Sequence, residues 1–202
     1  RYQIRVKVFH CLYANSIGNN LEKELETCFQ SYLDLYHSIL EILIYLKKRA
    51  EFEIEIGLNK KQPEYSDLNP NTRFINNLVL NRIEKDLFSK SFAEENLKSL
   101  SKKIFAELKE ELYFQKYMKS ENSNLKNDQK IIIKILQKNI LSNKSIIDFF
   151  EEKSIYWNDD IKSAYNLFIY KNTELRENKK KFKFTQALIF KNQTDENFAK
   201  IL

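Results

Sequence analysis

Glycine and proline are almost absent from this chain, and their scarcity limits the possible folds more than any other feature of the sequence. Two glycines and two prolines occur in 202 residues, whereas an average domain contains several per cent of each. Tight turns and the ends of strands depend on these two residue types. Long helices joined by a few polar loops are therefore the architecture that we expect.

The balance of apolar and charged residues also favours helices. The hydrophobic share is 43% and the charged share is 31%, which is typical of amphipathic helices with solvated outer faces. The formal net charge is +6, so polyanionic partners are permitted but not required. No apolar run approaches the roughly 20 residues that cross a bilayer, and the start does not resemble a signal peptide. We expect no membrane contact and a cytoplasmic location.

Seven helical segments are predicted from apolar residues spaced three and four apart. The second is the longest and runs from Leu21 to Gly57, where a left-handed C-terminal cap is expected. Asn69 and Pro70 have the pattern of an N-cap followed by a first-turn proline, which predicts a helix starting near Asn71. The remaining segments are expected at about 3–15, 94–119, 128–141, 146–150 and 161–168. Together they predict an all-α, multi-helix bundle of about seven to eight helices, with the clearest linker at 119–130.

Residue types that carry catalysis or bind metals are few and poorly spaced for either role. His10 and His37 lack a second ligand at a metal-type spacing, and neighbouring helical residues such as His10 and Cys11 point about 100° apart. Cys11 and Cys28 are interpreted as two reduced thiols in the core, although a bridge between them stays open. We expect no metal, no cofactor and no enzymatic activity.

Two further groups of residues have a structural and a functional interpretation. Asp159 and Asp160 could act as paired carboxylates, but a helix N-terminus explains them more simply. The dense aromatic residues could stack on bases, but their helical spacing beside Leu and Ile favours the core. These aromatic residues are Tyr113, Phe114, Tyr117, Phe149 and Phe150.

Five strings in the chain carry a family resemblance. The segment from Arg1 to Ala14 combines a basic start, an apolar middle and a Leu-Tyr-Ala ending, and it resembles the opening helix of NusB transcription antitermination proteins. The other strings resemble a long insertion in one bacterial branch of that family. They are Asp67 to Asn71, Phe74 to Asn77, Gln115 to Met118, and Trp157 to Asp160.

The resemblance implies a division of the chain into three parts. Residues 1–18 would form the first helix of the NusB-like fold, and 19–118 would form long antiparallel helices of the insertion. Residues 119–202 would be a second helical part of the insertion that leads toward the NusB core. Both termini are accordingly expected to be artificial, with the chain being an N-terminal portion of a longer protein.

The same resemblance implies a non-catalytic function. NusB proteins, with the small-subunit ribosomal protein that also acts as NusE, bind single-stranded boxA-type RNA and promote antitermination on ribosomal RNA operons. This chain would then be an RNA- and protein-binding factor of the transcription elongation complex. Arg5 matches the family arginine of the opening helix, and Arg1 matches its basic start.

The opening helix supplies Arg1, Arg5 and Lys7 as candidate RNA-binding residues, because cationic side chains bind phosphates. At 100° per residue, however, Lys7 points roughly 160° away from Arg5, so the three do not form one stripe. The helix also has a wide apolar arc. If that arc is exposed, it predicts an interaction surface.

Two alternatives come from other functional classes. NusB-like helical domains also precede ribosomal RNA cytosine methyltransferases, so the chain could be an accessory domain of such an enzyme. It could also be a protein-only helical scaffold that never contacts RNA.

Overall fold

The computed structural model describes residues 2–17, 21–87, 95–120, 124–154, 157, 160–177 and 182–185. Across these ranges there are nine helices, eight of them with at least seven residues, and there is no strand. The expected all-α, multi-helix bundle is therefore confirmed. The helices are α1 (Tyr2–Ser16), α2 (Leu21–Leu58), α3 (Tyr65–Leu68), α4 (Leu78–Leu87), α5 (Glu95–Glu110), α6 (Leu112–Met118), α7 (Leu125–Ile135), α8 (Lys144–Lys153) and α9 (Ile161–Arg176), and a π-helical turn (Leu136–Ile140) extends α7.

The long helix α2 is the centre of the fold, and it packs against α1, α4, α5 and α9. Its middle is buried on nearly every side, as expected for a helix whose apolar residues extend around the whole circumference. The fully buried side chains in this stretch are Leu35, Tyr36, Ile39, Leu40, Ile42, Leu43 and Leu46. These four helices thus cover α2, and each of them keeps one face toward solvent.

Gly57 does not end α2 as a left-handed cap, because the helix continues through Leu58. The glycine instead allows a close approach by the loop that follows. A Cβ at Gly57 would lie 2.9 Å from Oδ1 of Asp67. That carboxylate accepts hydrogen bonds from Lys60 Nζ at 2.8 and 2.9 Å and from the backbone N–H of Glu64 at 2.9 Å. The absence of a side chain at Gly57 therefore leaves room for α3 to fold back on α2.

The helix expected near Asn71 begins seven residues later, at Leu78. Its N-terminus is capped by Asn77, whose Oδ1 accepts hydrogen bonds from the backbone N–H groups of Val79 (2.9 Å) and Leu80 (3.1 Å). Asn69 is instead the C-cap of the short helix α3, which ends at Leu68. The predicted N-cap was thus placed at the wrong asparagine.

Two other boundaries differ from the prediction. The segment expected at 94–119 is divided at Glu111 into α5 and α6. The following helix begins inside the predicted linker, at Leu125, because Asn124 caps it by accepting a hydrogen bond from the N–H of Asn127 at 2.9 Å. A polar stretch therefore holds the first turn of a helix, which apolar periodicity alone did not predict.

A buried polar cluster fixes the start of α7. Asp128 is fully buried, and its Oδ1 accepts hydrogen bonds from Arg73 (2.8 Å) and from the Tyr117 hydroxyl (3.0 Å). Its Oδ2 accepts from the backbone N–H of Leu78 at 2.9 Å, and the Arg73 guanidinium lies 4.6 Å from the centroid of the Tyr117 ring. One carboxylate thus joins α4, α6 and α7, and it holds the inner face of α7 against the core.

Candidate functional site

Helix α1 is apolar on two opposite sides. One side packs on α2 through the buried side chains of Val8, Cys11 and Ala14. The other side is exposed to solvent, which is unusual for a run of large apolar residues. The exposed side chains are Phe9 (67% exposed), Leu12 (45%), Tyr13 (61%) and, just after the helix, Ile17 (70%). We call these four residues the α1 apolar face.

The three cationic residues predicted to bind RNA are not brought together by the described part of α1. Arg1 lies outside the described residues, and Arg5 is exposed. Lys7 is 6% exposed and forms an ion pair with the carboxylate of Asp160, which is 1% exposed. RNA binding by these residues stays a prediction. Of the two that lie in the described part of α1, Arg5 is exposed and Lys7 is buried.

Asp160 occupies the N-cap position of α9, but its side chain makes no capping hydrogen bond. Its carboxylate faces Lys7 instead. Asp160 thus lies at the helix N-terminus, where it was expected, and its side chain forms an ion pair with Lys7 without capping the backbone. Asp159 lies outside the described residues. The ion pair joins α1 to the start of α9, so α1 is held at two places.

Cys11 and Cys28 are free thiols buried between α1 and α2. The Cys28 thiol forms a hydrogen bond with Cys11, which lowers the pKa of Cys11 and raises that of Cys28. The positive charge of Lys7 acts to lower the pKa of each thiol, but for Cys28 the hydrogen bond and burial outweigh it, so the pKa of Cys28 is raised. The thiols are neighbours in the core, in agreement with their interpretation as buried reduced cysteines.

Four lysines form a row along α7 and the π-helical turn, at every fourth position: Lys126, Lys130, Lys134 and Lys138. All four are exposed. Side chains four apart in an α-helix are offset by about 40° around its axis, so each lysine lies beside the next and the row winds slowly around the helix. The buried residues of α7, Asp128 among them, point to the other side of the helix. We call these four residues the α7 lysine row.

Tyr113 on α6 lies beside the C-terminal half of the α7 lysine row. The Nζ atoms of Lys134 and Lys138 are 4.9 and 5.6 Å from the centroid of its ring, and its hydroxyl donates a hydrogen bond to Oδ1 of Asn139. Burial raises the pKa of the Tyr113 hydroxyl, so it stays a neutral donor. One aromatic ring thus orients two lysines of the row.

Most of the other aromatic residues belong to the core, as predicted. Phe114, Tyr117 and Phe150 are buried, and Phe149 is partly buried against the core. One of the strings that carry the family resemblance, Phe74 to Asn77, has a structural role as well. Phe74 packs edge-on against Phe114 with ring centroids 5.1 Å apart. These residues therefore explain how the bundle is built, and they leave its binding surfaces to other positions.

Within the described ranges, no group of three or more His, Cys, Asp or Glu side chains is placed to hold a metal ion. His37 is buried, and its Nε2 lies 3.3 Å from the carbonyl oxygen of Thr185. None of the helices in the described part of the chain is both long enough and apolar enough to cross a membrane.

Comparison of the chain with protein-family models, with curated proteins and with solved structures gave no match in any of the three.

Proposed function

We propose that this protein is a non-catalytic adaptor that binds a protein partner and RNA in bacterial transcription antitermination. The observation that carries the proposal is the α1 apolar face. A helix that is already docked on α2 still presents Phe9, Tyr13 and Ile17 to water, and exposed apolar patches of this kind mark protein-binding sites. The antitermination setting, with boxA-type RNA and ribosomal RNA operons, rests on the resemblance of the opening helix to NusB proteins.

The partner proposed for the α1 apolar face is the NusE-type small-subunit ribosomal protein. Aromatic and aliphatic side chains at the centre of an interface usually supply most of its binding energy. Arg5 is exposed four residues before Phe9, so it lies on the same side of α1 and adds a positive charge at one end of the face. The partner surface is therefore expected to be apolar, with an acceptor or an acidic group opposite Arg5.

The test measures binding of the 202-residue chain to the purified ribosomal protein by fluorescence anisotropy. The variant carries Phe9→Glu and Ile17→Glu, and the control carries Tyr65→Glu and Leu112→Glu, which are 82% and 73% exposed on other helices. Both pairs remove one aromatic and one aliphatic residue and add two negative charges. We expect at least a tenfold weaker affinity for the variant, about 1.4 kcal/mol or more, and little change for the control.

Two outcomes would contradict the proposal. One is that the unaltered chain does not bind the ribosomal protein. The other is that the variant and the control lose the same affinity, because charge alone would then explain the effect. Binding of the ribosomal protein without any binding of RNA would favour the protein-only scaffold.

A further inference from the structure

The α7 lysine row is regularly spaced. With a rise of 1.5 Å per residue, neighbouring lysines are about 6 Å apart along the helix axis, and the row extends over roughly 18 Å. Regular spacing of like charges matches a partner whose own charges repeat regularly. A polynucleotide backbone is such a partner, since it carries one phosphate per nucleotide.

Among the described residues, the lysines of the row lack the ion-pair partners that several other cations of the protein have. Lys60 pairs with Asp67, Arg73 with Asp128, and Lys171 with Glu174. In the described part of the chain, none of the four lysines of the row forms an ion pair. The one acidic residue of α7, Asp128, is buried on the other side of the helix, so it does not reduce the positive potential along the row.

The arrangement opposes the stability of the helix that carries it. Like charges four residues apart repel each other, and a cation such as Lys126 in the first turn is unfavourable with the helix dipole. The buried contacts of Asp128 and the cap at Asn124 hold α7 in place despite this repulsion. The protein keeps this row although the repulsion lowers the stability of α7. Binding of a ligand would explain why the row is present.

We propose that the α7 lysine row binds the phosphodiester backbone of single-stranded RNA. This inference deepens the proposed function, on which it rests, by placing the RNA site on α7, whereas the sequence pointed to α1. Lys126, Lys130, Lys134 and Lys138 each contact a phosphate, and the side chain of Tyr113 holds the last two in position. An acidic protein surface is less suitable, because its carboxylates do not repeat at a constant interval.

The number of contacts sets the salt dependence. Four phosphate contacts to a single strand predict that log K falls with log salt concentration with a slope of about −2.8. Removing three of the four lysines reduces the slope by about 2. Extrapolated to about 0.1 M salt, the same relation predicts roughly a 100-fold loss of affinity.

The experiment titrates a labelled single-stranded RNA with the 202-residue chain at several salt concentrations. The row variant carries Lys126→Gln, Lys130→Gln and Lys134→Gln, since glutamine keeps a high helix propensity. The matched control carries Lys48→Gln, Lys85→Gln and Lys162→Gln, three exposed lysines on other helices. Both variants lower the formal net charge from +6 to +3, and circular dichroism verifies that both are folded.

The expected result is a large loss of affinity and a shallower salt slope for the row variant, with a small loss for the control. Equal losses for the two variants, or an unchanged slope for the row variant, would overturn the proposal. Poly-glutamate is run as a competitor. If poly-glutamate displaces the RNA at an equal concentration of charge, the row is a general acidic-polymer site and the proposal fails.

This outcome is separable from that of the proposed function. RNA binding that survives in the row variant, together with loss of the ribosomal protein in the α1 variant, would remove the row and leave the adaptor. Loss of RNA binding in the row variant, with no binding of the ribosomal protein by the unaltered chain, would retain the row and remove that partner.

Discussion

Replacing Lys130 by glutamate should stabilise the fold and weaken RNA binding at the same time. Lys130 has a lysine four residues away on each side, Lys126 and Lys134. Like-charge pairs at this spacing destabilise a helix by about 0.2–0.5 kcal/mol each, and opposite-charge pairs stabilise it by a similar amount. Exchanging two repulsions for two attractions raises the unfolding free energy by about 1–2 kcal/mol at low ionic strength. At physiological salt the increase is roughly half of that.

The assay is urea unfolding followed by circular dichroism at low and at high salt. A gain of about 1 kcal/mol corresponds to an increase in melting temperature of roughly 2–4 °C for a protein of this size. Lys130→Gln is the matched control, because it removes both repulsions without adding attractions. We expect it to show about half of the gain.

The reasoning is refuted if Lys130→Glu lowers the stability, or if its gain is the same at both salt concentrations. In the first case the row contributes to the fold. In the second case the effect does not come from exposed charges, which salt must screen. Higher stability combined with weaker RNA binding is the result that separates a binding row from an ordinary solvated helix face.

Three further predictions concern the core. Asp160→Ala should lower the unfolding free energy by about 3 kcal/mol, because it leaves the buried ammonium of Lys7 without its carboxylate, and adding Lys7→Met should restore part of the loss in a urea titration. Burial raises the pKa of Tyr32 from 10.0 to about 12. The free energy of unfolding should therefore keep its full value below about pH 10 and fall as the pH rises toward 12. Tyr32→Phe should flatten that decline in urea titrations at alkaline pH. Cys11 and Cys28 should not react with Ellman's reagent until denaturant unfolds the protein, since both are fully buried, and rapid labelling of the native chain would disprove that packing.

The helical architecture could be predicted from the sequence because it depends on local patterns. The spacing of apolar residues along α2, together with the scarcity of Gly and Pro, is sufficient for an all-α bundle. The start of α4 could not be predicted in the same way. The sequence indicated Asn69 as the N-cap, whereas the cap is Asn77, and the start of the helix there depends on Asp128, which accepts a hydrogen bond from the backbone N–H of Leu78. A contact between residues fifty positions apart is invisible to a local pattern.

The orientation of the side chains on α1 could be predicted in part from the sequence. Helical geometry placed Lys7 on the side opposite Arg5, and the structure agrees, since Arg5 is exposed and Lys7 is buried. The pairing of Lys7 with Asp160 could not be foreseen, because the two residues are 153 positions apart and only the folded chain brings the start of α9 next to Lys7. The position of residues around a helix thus predicts which side chains cannot lie on one surface. It does not predict which of them forms an ion pair with another helix.

The α7 lysine row is visible in the sequence as four lysines at intervals of four, but the pattern of apolar residues does not indicate a function for it. Its meaning depends on the other charges of the fold, because the same spacing with carboxylates nearby would be an ordinary network of surface ion pairs. The α1 apolar face also could not be interpreted from the sequence alone, since its exposure depends on how α1 packs on α2. Each surface is carried by a helix whose opposite side is held in the core, by Val8 and Cys11 in α1 and by Asp128 in α7. The proposed adaptor would present both surfaces on helices that are already packed in the core, so we expect binding of one partner to leave the affinity for the other nearly unchanged.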